Sequence, residues 1–110
     1  MTNYQANVLQ GTLDLLILKA LAVGPLHGWA ISKRIRDVSR GVLTVNQGSL
    51  YPALYRLEER GWITGVESQS AEGRRIKVYR STAPGRKQLV TEIESWTTYV
   101  VAMQHVIRAV

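Results

Sequence analysis

A regular spacing of apolar residues in the final part of the chain constrains the fold most strongly. These residues recur at alternating intervals of four and three positions: Leu89, Ile93, Trp96, Val100, Met103, Ile107 and Val110. A sustained 3.5-residue period is typical of a helix that packs lengthwise against another helix. The elements before it end near Thr82, so little of the same chain remains to cover this stripe. The spacing therefore predicts a long C-terminal helix that pairs with a second copy of the chain.

Two shorter helices are predicted at the start of the chain. The first spans about residues 11–23, and its apolar residues lie all around the helix, so we expect it to be buried on several sides, with one side against the core and another against a second subunit. The second spans about residues 28–39, where Ile31, Ile35 and Val38 share one face. Its outer surface is basic and carries Lys33, Arg34, Arg36 and Arg40.

A third helix is predicted between Asn46 and Gly61, because Asn is a good N-cap and Gly commonly follows a helix end. Its buried stripe consists of Leu50, Leu54 and Leu57. Pro52 leaves the start of the helix open. If Asn46 is the cap, Pro52 is the sixth helical residue and removes one hydrogen bond. If Ser49 is the cap, Pro52 falls in the first turn, where no intrahelical donor is needed.

Two strands joined by a polar loop follow, over residues 62–68 and 75–81, and in the second strand Ile76 and Val78 alternate with Lys77 and Tyr79. Residues 74–87 contain six basic residues and no acid, which equals the whole formal net charge of +6. Three helices, a strand pair and a last helix follow the order of a winged helix-turn-helix. A basic strand pair in that position can lie along phosphates, which strengthens binding without selecting a sequence. The alternative is a solvated basic hairpin.

The outward face of the third helix suits a DNA groove. With the leucines inward, Gly48, Pro52, Tyr55 and Glu59 lie opposite, while Ser49 and Arg56 lie at the sides. Small residues allow a close approach, and hydroxyl and guanidinium groups can bind base edges or phosphates. Two alternatives remain: Tyr51 is partly core, and Arg56 forms an ion pair with Glu58 or Glu59.

Other classes of function find little support in the sequence. Without cysteine, disulfides, thiol catalysis and Cys-ligated zinc are excluded. The two histidines, His27 and His105, lie on different predicted elements, so we expect no metal site and no cofactor. No serine has an adjacent base to activate it, so we expect no enzyme. Residues 13–23 are too short and too charged to span a membrane, and no signal peptide is recognisable, so we expect a cytoplasmic protein.

Three segments carry a family resemblance: GPLHGW at residues 24–29, NQGSLYPALYRLE at residues 46–58 and GWI at residues 61–63. Together with the basic segment at residues 74–82, they resemble the PadR family of bacterial transcriptional regulators, and the single long last helix is similar to its short form. The resemblance covers about residues 9–110. It departs from the family pattern at Trp29, Ser49, Tyr55 and Ser81, and the change at Tyr55 leaves the base preference there open.

The resemblance implies a mostly α fold with a small β-ribbon, a winged helix-turn-helix plus a C-terminal dimerisation helix. Residues 1–82 would bind DNA and residues 83–110 would dimerise. The expected partners are double-stranded operator DNA of pseudo-palindromic sequence and a second copy of the chain. The DNA-binding residues would be Lys33, Asn46, Gln47, Gly48, Ser49, Tyr51, Pro52, Tyr55, Arg56, Arg74, Arg75 and Lys77. The dimer interface would comprise Leu13, Leu16, Leu89, Ile93, Trp96, Val100, Met103 and Ile107.

The expected function is a ligand-responsive repressor that acts as a homodimer. Trp96 is either a large apolar anchor of the dimer or one wall of a site that stacks a small aromatic effector. The alternative function is a winged-helix module that binds proteins and does not recognise a DNA sequence.

Overall fold

The structure, a computed structural model, describes Ala6–Asn7 and residues 12–110. Its helices are α1 (Leu13–Leu21), α2 (Gly28–Val38), α3 (Gln47–Glu59) and α4 (Ala83–Arg108). Its strands are β1 (Ala6–Asn7), β2 (Leu26–His27), β3 (Leu43–Thr44), β4 (Ile63–Gln69) and β5 (Arg75–Ser81). The four predicted helices and the two long strands are therefore present. The predicted start of the first helix at Gly11 lies outside the described residues.

Three strands of two residues each were not predicted. β1 pairs with β3 in parallel, and β2 pairs antiparallel with β5, which also pairs with β4. The predicted two-stranded ribbon, which we call the wing, consists of β4, β5 and the loop between them, and it is the longer part of a three-stranded sheet ordered β2-β5-β4. Because β2 immediately precedes α2, this sheet joins the wing to the helix-turn-helix.

The core lies between α1, α2, α3 and the base of the wing. Its fully buried large side chains are Ile17, Leu18, Ile31, Leu50, Leu54, Leu57 and Ile63. The leucine stripe predicted for α3 is therefore correct. Of the face predicted for α2, Ile31 and Ile35 are buried, but Val38 is 69% exposed because it is the last helical residue and lies beyond the core.

The alternation predicted in β5 is wrong at its end. Tyr79 was placed on the polar side with Lys77, yet it is buried in the core, while Ile76 and Val78 are only half-buried. The reason is that Tyr79 lies at the base of β5, opposite Leu26 of β2, where α1 and α2 pack against the strand. Burial in turn raises the pKa of the Tyr79 phenol.

The start of α4 is fixed to the turn between α3 and β4. Thr82 caps α4, because its hydroxyl accepts from the Gly85 N–H at 3.1 Å and donates to the Gly61 carbonyl at 2.6 Å. The Thr82 N–H donates to the Trp62 carbonyl at 3.1 Å. A side chain at Gly85 would collide with the Trp62 backbone. The last helix therefore leaves the domain at a defined place.

Candidate nucleic-acid interface

The first turns of α3 form an exposed and nearly uncharged surface. Its members are Gln47, Gly48, Ser49, Tyr51, Pro52 and Tyr55. Tyr55 is 65% exposed, and its ring has no described aromatic partner among residues 12–110. The predicted candidates on this helix therefore share one face. We call this set the reading face.

Asn46 is the N-cap of α3, which decides between the two predicted starts. Its side-chain oxygen Oδ1 accepts from the Ser49 N–H at 2.8 Å, so Pro52 lies inside the helix. Proline has no N–H, so the hydrogen bond that would run to the Gly48 carbonyl is missing. That carbonyl is at the exposed beginning of the helix, where water can satisfy it. The other end follows the prediction, because Gly61 adopts φ 75° directly after the C-cap.

Tyr51 is half core and half surface, as the sequence suggested. The hydroxyl end of its ring lies against the backbone of Gly28 at the start of α2, and 47% of the residue stays exposed. It packs the two helices of the helix-turn-helix together. The exposed remainder adjoins the reading face.

Arg56 has an ionic partner that the sequence did not suggest. One of its terminal nitrogens lies 2.8 Å from Oδ1 of Asp14 in α1, whereas the predicted partners were Glu58 or Glu59. The Asp14 side chain is 16% exposed and that of Arg56 is 46% exposed. The pair thus joins α1 to the side of the reading face, 42 positions apart in sequence.

The basic residues of the wing differ in whether they form ion pairs and in how exposed those pairs are. Arg75 pairs with Glu67 across the two strands at 3.0 Å, but the side chains are 82% and 70% exposed, so the pair is solvated and weak. Arg74 lies at the wing tip, and among residues 12–110 no ion pair involves it. Arg74 and Arg75 are therefore both available to an anionic partner.

Lys77 is held differently. Its amine Nζ lies 3.0 Å from Oε1 of Glu58 on α3, and the same carboxylate accepts from the Gly65 N–H at 3.3 Å through Oε2. The hydrogen bond that Lys77 donates to Glu58 raises the pKa of Lys77. Nζ also lies 5.5 Å from the centre of the Tyr79 ring. Lys77 therefore joins the wing to α3 as well as adding to the basic surface.

The outer side of α2 adds a smaller polar surface. Lys33 donates to Asp37 at 2.6 Å, and this contact is the main cause of the lowered pKa of Asp37. Trp29 and Arg36 lie beside Lys33 and line, with the start of α3, a shallow cavity of about 180 Å³. Neither was among the predicted DNA-binding residues. Trp29 is exposed and stacks on His27, with 6.2 Å between the ring centres. The position of Trp29 at the start of α2 was the sequence feature that could have indicated its place on this surface.

The apolar stripe of α4 begins inside the domain and continues away from it. Leu89 packs against the core, as do Leu13 and Leu16 of α1, with Leu13 itself buried. Further along, Ile93, Trp96 and Met103 are exposed by roughly two fifths, and Ile107 by 72%. Trp96 contacts Tyr99, whose ring centre is 5.9 Å away. Beyond its first turns, most of the predicted seam is thus uncovered in the single chain, although Val100 is half-buried.

An apolar groove of about 260 Å³ runs along the other side of α1, between it and α2. Leu16, Ala20, Val23 and Val38 contribute its apolar surface. This explains why the first helix is apolar all around: one side forms the core and another lines the groove. Among the described residues, no helix is long and apolar enough to cross a membrane, and no three His, Cys, Asp or Glu residues cluster as metal ligands would.

Comparison with known proteins decides the family. The sequence profile of the transcriptional regulator PadR-like family matches residues 17–91, which include α2, α3, the wing and the start of α4. The chain belongs to the PadR family. This family consists of transcriptional regulators and is not a family of enzymes, and PadR regulators bind DNA.

Individual relatives agree with that assignment. A transcriptional regulator of Mycobacterium tuberculosis, Rv3488, is 36% identical over 83 residues, which are 76% of this chain and 74% of that protein. A transcriptional regulator from Clostridium thermocellum superposes with a TM-score of 0.82 at 28% identity, covering 90% of this chain and 93% of its own. A PadR-like regulator from Bacillus cereus gives 0.75 at 25% identity, with 92% and 96% covered.

Proposed function

We propose that this PadR-family chain is a cytoplasmic, homodimeric repressor that binds a pseudo-palindromic operator. The observation that carries the proposal is the arrangement of an uncharged reading face beside a wing with exposed arginines. Phosphate contacts from the wing supply affinity, while the hydroxyl and amide groups of α3 supply sequence preference. Residues 1–82 serve as the DNA-binding part and residues 83–110 as the dimerisation helix.

The uncovered stripe of α4 supports the dimer. An exposed row of apolar side chains at heptad spacing is stabilised when a second helix covers it. A two-fold pair would present two reading faces to successive major grooves, about 34 Å apart on B-DNA. Sedimentation velocity should give about twice the 12.3 kDa chain mass. A monomer at micromolar concentration would contradict both the dimer and the operator geometry.

Sequence preference is tested by selecting bound duplexes from a random pool and from fragmented DNA of the source genome. We expect one enriched inverted repeat. With the enriched duplex, Ser49→Ala should weaken binding by about 1–3 kcal/mol more than with a scrambled duplex. Arg74→Ala should weaken binding to both duplexes equally and reduce the slope of log K against log salt by about 1.

The alternative is a winged-helix module that binds another protein. It predicts little DNA affinity at moderate salt and no enriched sequence in the same selection. The exposed hydroxyl and amide groups at the start of α3 and the exposed arginines of the wing favour DNA over this alternative.

The proposal includes an effector site at Trp96. Trp96 is half-exposed next to Tyr99 on the stripe that a second copy would cover, so the two indoles of a dimer could border one planar site near the two-fold axis. A ligand binding there would bias the spacing of the two wings. Planar aromatic compounds should quench tryptophan fluorescence in the parent protein and not in Trp96→Ala. Equal binding by both proteins would leave Trp96 only as a dimer anchor.

A further inference from the structure

We propose that Glu58 is a positioning residue that sets the angle between the wing and the recognition helix α3. This inference rests on the proposed DNA-binding function and adds to it a determinant of specificity that touches no DNA. Three contacts carry it: the ion pair to Lys77, the acceptance of the Gly65 N–H, and the close packing at Gly65.

The Glu58 carboxylate holds both strands of the wing at once. Oε1 binds Lys77 of β5 at 3.0 Å, and Oε2 accepts from the backbone of Gly65 in β4 at 3.3 Å. Gly65 and Lys77 lie near each other because Gly65 faces Tyr79 in the strand register, two residues beyond Lys77. One side chain of α3 therefore ties the helix to both strands of the wing.

Gly65 is part of the same arrangement. A Cβ at this position would collide with the Cε of Lys77 and would lie 3.0 Å from the Tyr79 ring and 3.2 Å from Oε2 of Glu58. The end of the lysine stem passes over Gly65 on its way to the carboxylate, so a side chain here would force that stem to move. Replacing Gly65 thus displaces Lys77 without changing any charge.

The position of Glu58 on α3 links the orientation of the wing to DNA sequence specificity. Glu58 is one turn after Tyr55 and Leu54 on α3, so it holds the wing relative to the same helix that carries the reading face. A wing that docks on phosphates at a fixed angle fixes the register of α3 in the groove. A wing that rotates freely still binds phosphates but no longer enforces that register.

The test measures the specificity ratio, which is Kd for a scrambled duplex divided by Kd for the enriched duplex, in the dimeric full-length protein. Glu58→Gln removes a negative charge close to DNA, so simple electrostatics predicts tighter binding to both duplexes and an unchanged ratio. Positioning predicts that the ratio falls about fivefold, the factor expected from losing one partly exposed ion pair. Glu67→Gln is the matched control, because it also removes one negative charge, but from β4 of the wing and without changing any contact to α3.

Two more variants separate positioning from a direct phosphate contact by Lys77. Lys77→Met and Gly65→Ala should lower the ratio as Glu58→Gln does, and the Glu58→Gln/Lys77→Met double variant should be no worse than either single one. If Lys77 contacts phosphate instead, Lys77→Met weakens binding to both duplexes equally and adds to the effect of Glu58→Gln. That outcome would overturn the proposal.

Hydrogen exchange of the free protein distinguishes this inference from the proposed function. In Glu58→Gln, amides of β4 and β5 should exchange several times faster than in the parent, while Glu67→Gln leaves them unchanged, and thermal melting confirms that both variants fold. If the selection enriches no DNA sequence, the proposed function fails. Hydrogen exchange still tests whether Glu58 holds the wing against α3. Unchanged hydrogen exchange in Glu58→Gln would refute the positioning role of Glu58, whatever the result of the DNA-binding test.

Discussion

The ion pair between Asp14 and Arg56 allows a quantitative prediction, because it joins α1 to the recognition helix. Its 2.8 Å contact is less exposed than the Arg75–Glu67 pair, chiefly on the Asp14 side. Exposed pairs contribute about 0.2–1 kcal/mol, and removing one partner of a buried pair costs about 3–5 kcal/mol. For this half-exposed pair, we expect Asp14→Asn to lower the free energy of unfolding by about 1–2 kcal/mol.

Urea unfolding at a fixed protein concentration measures that loss, and Glu67→Gln serves as the control with an expected change below about 0.5 kcal/mol. Asp14→Asn should also bind DNA more tightly than the parent protein does. Asp14→Asn removes an anion and releases the guanidinium of Arg56, which then reaches phosphate or a guanine edge without first breaking an ion pair.

A double-mutant cycle identifies the cause of any gain in DNA affinity. If the gain comes through Arg56, Asp14→Asn should help much less in an Arg56→Met background. An equal gain in both backgrounds would mean that only net charge matters. Unchanged stability in Asp14→Asn would refute the inference that the pair holds α1 and α3 together.

Three further outcomes are expected. Asn46→Ala should cost about 1 kcal/mol in urea unfolding because the Ser49 N–H loses its cap, and a loss as small as that of Gln47→Ala would contradict the assignment. Gly85→Ala should lower stability by about 3 kcal/mol or more, since the new methyl meets the Trp62 backbone, while the exposed Ser95→Ala serves as its control in thermal melting. Ile107→Ala should weaken the dimer by about tenfold or more in sedimentation equilibrium, with unchanged helix content; an unchanged dimer constant would remove Ile107 from the interface.

Elements defined by local signals could be predicted from the sequence. The end of α3 follows from Gly61, whose capping chemistry acts within one turn of the helix, whereas Pro52 left both Asn46 and Ser49 open as its N-cap. The long stripe of α4 follows from its period, and its start follows from the Thr82 cap. These elements carry their own information, so neither the core nor the partner chain was needed to recognise them.

Contacts between distant elements could not be predicted in this way. The two-residue strand β2 exists because Leu26 lies opposite Tyr79, and no local pattern marks a strand that short. The same holds for Asp14 and Arg56, where nearby glutamates offered a local partner that the fold did not use. Pairing across elements depends on how the elements pack, which periodicity and capping do not describe.

The number of basic residues in the wing does not show which of them are free to bind phosphate, because packing pairs some of them with acids. Between positions 74 and 87 the sequence has six cations and no acid, but two of those cations pair with acids from outside that window. The pairs are not equivalent. Glu67 and Arg75 are both solvated, so a phosphate can replace the carboxylate at little cost. Glu58 is fixed by the Gly65 N–H as well as by Lys77, so releasing Lys77 would also disturb the wing. Phosphate binding by the wing should therefore depend on Arg74 and Arg75, while Lys77 determines where those arginines are held.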